Sequence, residues 1–339
     1  MAVSWRVAFM TGGRVEGEAR EWRDLSISLR VDDACDAALT IAGRSMDAAL
    51  VTELATDLLV YRGTQLMFRG RITTAEDQLD TERHSVAIKA TDYRGLLDRR
   101  MVWDSDPVSF TQVPQAEIAW ALINQSQSRP GGDLGITRGN IPQDRPRDRL
   151  FEAGQVVGGL IDGLSELIDG FDWEVTPELA FNVWHPWRGT TKATVLDYGG
   201  TVATLDRRSA SGDFANVVRA VGAEGTAPVT VVADGASSDQ RGLWETSVGD
   251  PDLLLQSTVA DRAAGLLAER GTTRDVYTVE LVPQCYGELV TPEPGDSYTL
   301  VVRSGRLDIQ TTVRVTEVAF DATEDGDEIV KLALLTWVP

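Results

Sequence analysis

Two distant stretches of this chain carry the same succession of signals, and that repetition constrains the fold more than any single motif does. Residues 57–90 (DLLVYRGTQLMFRGRITTAEDQLDTERHSVAIKA) and 296–334 (DSYTLVVRSGRLDIQTTVRVTEVAFDATEDGDEIVKLAL) both begin with Asp. Each runs a strand to an arginine, turns through a glycine (Gly63, Gly305) and enters a long strand. The long strands contain Arg71-Ile72-Thr73 and Arg314-Val315-Thr316. Each then crosses an acidic loop, EDQLDTER or DATEDGDE, and returns through an apolar strand. One β module present twice accounts for this; so does the grammar common to any meander of hairpins.

The flanking residues extend the reading. Leu25, Ile27, Leu29 and Val31 alternate with Ser26, Ser28 and Arg30, the period of a half-buried strand. Strands are predicted at 58–62, 66–75 and 84–91, joined by the turn Arg62-Gly63-Thr64 and the polar loop Asp77 to Arg83. Residues 44–55 fit a short helix or a loop across one barrel end. From 104 the pattern changes. Pro114 opens a helical stretch, QAEIAWALINQ, with Ile118, Trp120 and Leu122 directed inward. The following SRPGGDLGITRGNIPQDRPRDR reads as an exposed linker. From Ala153 to Asp169, Val156, Val157, Leu160, Ile161, Leu164, Leu167 and Ile168 recur at helical spacing, with Gly170 as the stop. The hairpin FDWEV–TPE–LAFNVW comes next.

After about 193 strands return, at 202–207, 214–222, 228–233, 276–283, 298–303, 307–320 and 328–335. One helix is predicted at 257–270, with a Ser or Thr cap, the stripe Val259, Ala263, Leu266 and Leu267, and Gly271 at its end. The expected fold class is α+β, mainly β: two β-barrel or sandwich domains, 1–103 and 193–339, around a small α+β insert domain at 104–192. A length of 339 residues, at roughly 150 per domain, suits two or three domains.

Composition removes several functions. The 52 acidic residues outnumber the 32 basic ones, for a formal charge of −20, which argues against phosphate recognition on nucleic acid. No apolar run is long enough for a membrane span, and MAVSWRVAFMTGG lacks the apolar stretch of a signal peptide. Cys35 and Cys285 stand far apart, and His84 and His185 are the only histidines, so neither a disulfide framework nor a histidine-rich metal site is expected. Of the 32 basic residues only Lys89, Lys192 and Lys331 are lysines. A GC-rich codon bias is the simpler source of that preference; arginine's suitability for paired charge at interfaces is the other.

No constellation carries catalysis. Asp321, Thr323, Asp325 and Gly326 match the first positions of an EF-hand loop, but Leu332 stands where a bidentate glutamate is needed, so a solvated hairpin loop is expected. His84 and His185 lack a nucleophile elbow, and there is no P-loop, no dinucleotide-binding glycine pattern and no CxxC. Trp184 and Trp187 around His185 suit either stacking on a sugar or partner, or packing of an edge hairpin on the neighbouring domain. Catalytic, cofactor and metal residues are therefore expected to be none.

Three stretches taken in order carry a family likeness. VAIKATDYRGLLDRRMV (86–102), VVGGLIDGLSELIDGFDWEV (156–175), and FANVVRAVGAEG followed by a helix and TPEPGDSYTLVV…TTVRVTEVAFD (291–321) together resemble the tail-hub, baseplate-hub or minor tail proteins of long-tailed bacteriophages. Pro294-Gly295-Asp296 stands where the family has Pro-Gly-Asp before a barrel strand. The resemblance implies two tail-tube-like barrels per subunit. A homotrimer would then present six barrels to a sixfold tube, as a structural component of the virion at the tail tip, assembled in the host cytoplasm. It implies partners in the tail tube or distal tail ring, the tail tip or fibre proteins and the tape measure protein. DNA would pass through the lumen without specific binding, along a net negative wall, with arginines turned to subunit interfaces. Larger members append lysozyme or peptidase modules; the sequence to Pro339 leaves no room for one, so wall-degrading activity is not expected. The rival readings are a carbohydrate- or receptor-binding tail module using Trp184, Trp187 and Trp244, and a cell-wall hydrolase using acidic pairs.

Overall fold

The computed structural model describes the chain except residues 1–3, 82, 106–108, 168, 211, 213, 234–239, 252, 272–273, 288, 324–326 and 338–339. Seven strands build the first β region: β1 (Trp5–Thr11), β2 (Arg14–Ala19), β3 (Trp22–Arg30), β4 (Asp36–Ala42), β5 (Thr56–Arg62), β6 (Gln65–Leu79) and β7 (His84–Asp92). Along β6, Phe68, Gly70 and Ile72 are buried, as its two-residue period requires. Of the ambiguous 44–55 stretch, only Asp47–Leu50 is helical, as one 3₁₀ turn with no buried residue, and the rest is turns and loop.

Helix α1 (Tyr93–Leu97) ends the first region, and the insert follows: β8 (Ser109–Pro114), α2 (Gln115–Gln127), β9 (Thr137–Arg138), β10 (Pro146–Leu150), α3 (Val157–Ser165), β11 (Asp172–Val175) and β12 (Ala180–Trp184). Asp92 caps α1 by accepting from the Gly95 N–H at 3.0 Å. Pro114 lies just before α2 rather than in its first turn, and the Asp144 carboxylate takes the Ala116 N–H at 2.9 Å. Ile118 and Leu122 are buried, and Trp120 stacks on Phe181.

Two expectations here fail for identifiable reasons. The predicted linker is structural: the Thr137 N–H reaches Leu179 O at 2.8 Å, and Arg147 and Arg149 of β10 are buried. The predicted helix 153–169 is shorter because its first turn is committed elsewhere. Val102 N–H donates to Gln155 O at 2.9 Å and Gly154 N–H to Val102 O at 2.8 Å. Beyond Ser165, Asp169 takes a left-handed conformation, and a Cβ on Gly170 would collide with the Ser165 carbonyl. Ile168 lies outside the described residues.

The second β region comprises β13 (Thr191–Asp197), β14 (Val202–Ala210), β15 (Val217–Val221), β16 (Val229–Val232), β17 (Glu245–Gly249), α4 (Gln256–Arg270), β18 (Arg274–Leu281), β19 (Ser297–Ser304), β20 (Leu307–Ala322) and β21 (Glu328–Thr336). The strand at 245–249 was not predicted. Helix α4 falls where expected, with Val259, Ala263 and Leu266 buried, but Leu255 precedes it and no hydroxyl caps it. The exposed Gln256 side chain instead exchanges hydrogen bonds with the Ala227 main chain at 2.8 and 2.9 Å.

The architecture is mainly β, in the α+β class. Thirteen strands form one sheet whose path runs β14-β18-β21-β20-β3-β4-β7-β6-β5-β1-β2, with β19 and β13 branching from β20. One apolar cluster runs from Trp5 to Leu334 through both β regions; a second, from Tyr93 to Val183, fills the insert. Strands β15–β17 form a separate sheet, and small clusters join it to α4.

Candidate functional site: the module seam and two open strand edges

The two β regions repeat one topology. In the first, β3 pairs with β4, β4 with β7, β7 with β6 and β6 with β5. In the second, β14 pairs with β18, β18 with β21, β21 with β20 and β20 with β19, all antiparallel as in the first. Details coincide. Gly63 and Gly305 turn with φ of 60° and 58°. The register slips between Ile72 and Thr74 in β6 and between Val315 and Glu317 in β20, a bulge at the matching threonine. Each bulge hydroxyl donates to the third strand, Thr73 to Lys89 O at 3.3 Å and Thr316 to Ala333 O at 3.1 Å. Hairpin grammar alone does not place bulges; two copies of one module do. The modules differ at β1 and β13, which run antiparallel to β5 and parallel to β19 respectively.

The modules meet along β3 and β20, which pair from Glu317↔Arg30 to Ala322↔Leu25. This seam is apolar within and arginine-clasped outside. Phe320 and Ile27 are buried, and Trp5 meets Phe320 edge to face at 5.6 Å. Arg62 grips Glu328 with two hydrogen bonds, 2.9 and 2.8 Å, and Trp5 Nε1 adds a third at 3.0 Å. Arg30 reaches Glu317 at 3.3 Å.

The insert locks onto this seam through buried charge. Arg94 donates to Val31 O and Trp173 O and pairs with Asp162 at 2.8 Å. Arg314 of β20 pairs with Asp172 of β11, both nearly inaccessible. Asp57 collects Arg71 at 2.6 Å and the Tyr93 hydroxyl at 2.7 Å. A cavity of about 290 Å³ opens among these groups, lined in part by Cys35, Arg69, Asp92, Arg94, Glu174 and Glu293. Burial raises the Asp92 carboxyl to about 6 and pushes the Cys35 thiol up. A thiol raised in this way is a poor nucleophile.

Several strands have a partner on one side only among the described residues, β13, β16 and β17 included, and two such edges lie at equivalent places in the two modules. Strand β5 leaves β6 at Arg71, and past the Leu54 N–H bond to Ile72 O the β5 side of 73–79 has no partner. Beyond Val202, which bridges to Tyr198, β14 has no second partner strand either. The third sheet end, β2, is shielded by the 3₁₀ turn, where Asp47 takes the Arg20 N–H at 3.0 Å.

The residues singled out from sequence lie apart from one another. His84 pairs with Asp77 at 2.6 Å on β7 and β6, and His185 Nδ1 lies 3.0 Å from Gly170 O. Trp187 packs edge to face on Trp337 at 5.1 Å, and Arg188 lies over Trp184, so this hairpin does pack on the second β region. Trp244 is exposed, its Nε1 bonded to Arg241 O at 2.8 Å. The acidic run 321–328 joins β20 to β21; Asp325 and Gly326 lie outside the described residues. Cys35 and Cys285 are both free thiols. Among the described residues no group of three or more metal-ligating side chains forms, and no helix is long and apolar enough to cross a membrane. The open edges escaped sequence reading because a strand's pattern encodes its buried face, not which flank finds a partner.

No protein-family model matches the chain, and no curated protein matches its sequence. Solved structures do. A tail protein from Neisseria meningitidis MC58 superposes with a TM-score of 0.68 at 13% identity, over 98% of this chain and 96% of that one. The 43 kDa tail protein of prophage MuSo2 from Shewanella oneidensis gives 0.69 at 13% identity, over 98% of each chain. The E. coli c3393 protein gives 0.52 at 11% identity, over 100% of this chain and 75% of its own. That protein is a component of the type VI secretion system with structural similarity to the T4 tail proteins gp27 and gp5. The fold is that of bacteriophage tail proteins.

Proposed function

We propose that this chain is a structural tail-hub protein of a bacteriophage virion. Three copies form a ring at the distal end of the tail tube, and the ring joins tube or distal-tail ring to tip. The observation that carries the reading is the duplicated module: one chain offers two copies of the same strand arrangement, matched to the bulge. Three such chains place six equivalent modules about an axis, which is what contact with a sixfold ring requires. Its fold likeness to tail proteins, and to a secretion component itself similar to gp27, supports the same role. The proposed division is a first module at 1–103, an insert at 104–192 and a second module at 193–339.

In this role the chain is not an enzyme and binds no cofactor. Its partners are further copies of itself, the tube or distal-tail ring, tip or fibre proteins and the tape measure protein. DNA passes an acidic lumen unbound, and the arginines serve contacts of the kind seen between modules, Arg62–Glu328 and Arg30–Glu317. Mass photometry of the purified chain, alone and mixed with its tube protein, tests the reading. A trimer, or a monomer that joins the tube three copies to a ring, is expected; a stable dimer or hexamer overturns it.

A further inference from the structure

The seam between modules within the chain predicts, residue by residue, a seam between chains. Resting on the hub reading, we propose that the open edge of β6 in one subunit pairs antiparallel with the open edge of β14 in the next. Module one would thereby repeat the contact that β20 makes with β3.

The register follows from the ladders. Thr74 faces Lys89 after its bulge as Glu317 faces Ala333 after its own, so residues 74–79 correspond to 317–322. Ser28 faces Asp36, which faces Thr91; Arg208 faces Val276, which faces Leu335. Thr91 and Leu335 each lie two residues beyond Lys89 and Ala333, so Ser28 corresponds to Arg208 and Ile27 to Arg207. Inside the chain Ala319 faces Ser28 and Phe320 faces Ile27. Between chains, therefore, Glu76 faces Arg208 and Asp77 faces Arg207.

Nothing in that mapping used charge, yet it sets two acids against two arginines. Directly opposed charges of opposite sign favour a cross-strand pair, and like charges oppose it. Glu76, Asp77, Arg207 and Arg208 are all exposed, and among the described residues neither Glu76 nor Arg208 has an ion-pair partner. Asp77 holds His84 at 2.6 Å and Arg207 holds Asp275 at 2.8 Å, so the second pair would join a four-member cluster. The arrangement also prevents wrong association. An acidic edge repels its own copy, and charged edges resist stray strand addition before assembly. The contact is heterologous, so successive copies close into a ring when each turns by the same angle as the two modules within a chain.

The test pairs cross-linking with charge reversal in the purified chain. Glu76→Cys with Arg208→Cys, in a background with Cys35 and Cys285 replaced by serine, should give a disulfide ladder that ends at the trimer on oxidation. Thr74→Cys with Arg208→Cys, out of register, should not. Glu76→Arg or Arg208→Glu alone should weaken self-association about 10-fold or more, and the double reversal should restore it. Circular dichroism of each variant should match the parent, showing that folding is not what changed. A trimer that forms without the in-register cross-link and ignores both reversals overturns the edge pairing and leaves the hub reading standing. An in-register ladder that stops at two copies, or continues without end, keeps the pairing and overturns the trimeric hub.

Discussion

Leu54 and Gly295 occupy one position in two copies of the same module. Both are left-handed, with φ of 63° and 95°. The Leu54 N–H donates to Ile72 O at 2.8 Å and the Gly295 N–H to Val315 O at 2.8 Å. A guanidinium then takes each carbonyl, Arg71 that of Leu54 and Arg314 that of Gly295. Leucine tolerates the site because its side chain is exposed, whereas a Cβ on Gly295 would stand 2.8 Å from the Arg188 carbonyl. Gly295→Ala should cost about 2 kcal/mol or more, and Leu54→Gly should change stability by less than ~1 kcal/mol. Urea midpoints of the two variants check the asymmetry.

The Arg314–Asp172 pair fastens the insert to the second module, and each partner is buried. Removing one leaves an uncompensated charge, so Arg314→Ala should destabilise by about 3–5 kcal/mol. Replacing both, Arg314→Met with Asp172→Leu, should recover most of that loss. Guanidinium unfolding of the three variants separates these outcomes.

Asp92 gives the fold a titration with an unusual sign. Burial holds its carboxyl near 6 when folded, above the ordinary value of 3.8. Between those values the folded chain binds the proton that the unfolded chain has released, so this group's contribution falls as pH rises. The loss is on the order of 2–3 kcal/mol, complete above about pH 6 and absent below about pH 4. Asp92→Asn keeps a cap for the Gly95 N–H and should remove that slope. The difference in melting temperature between parent and variant, followed from pH 4 to 7, reads it directly.

Thr73 and Thr316 offer a check on module equivalence. Valine at either loses one hydroxyl bond to the third strand, worth about 1 kcal/mol. The two sites share no partner, so the double variant should show the sum to within about 0.5 kcal/mol. A deviation much larger than that would mean the two bulges communicate.

Much of this was legible in the residues. The repeat was visible as Gly63 and Gly305 and as Arg-Ile-Thr and Arg-Val-Thr, because turn chemistry and strand period are local properties. The hairpin of β11 and β12 was read for the same reason. What escaped were choices made by distant chain. Arg30 faces Glu317 across almost the whole sequence, and no local pattern fixes that register. The stretch 128–149 looked like a linker because its Gly, Pro and charge are the composition of a loop, yet Leu179 and Phe181 supply carbonyls that order it. Asp57 and Asp172 are indistinguishable in sequence from the other acids; only burial beside arginine sets them apart.

The connection from β14 to β18 has a consequence for variation. Where β3 and β4 are joined by Val31 to Cys35, their counterparts enclose an entire sheet and helix. Both ends of that excursion are held by adjacent antiparallel strands, so its length and content can change outside the Arg262–Glu166 and Arg145–Asp261 pairs that tie α4 to the insert. Sequence can be exchanged there while the thirteen-stranded sheet stays constant, and the same port would accept a grafted label or ligand.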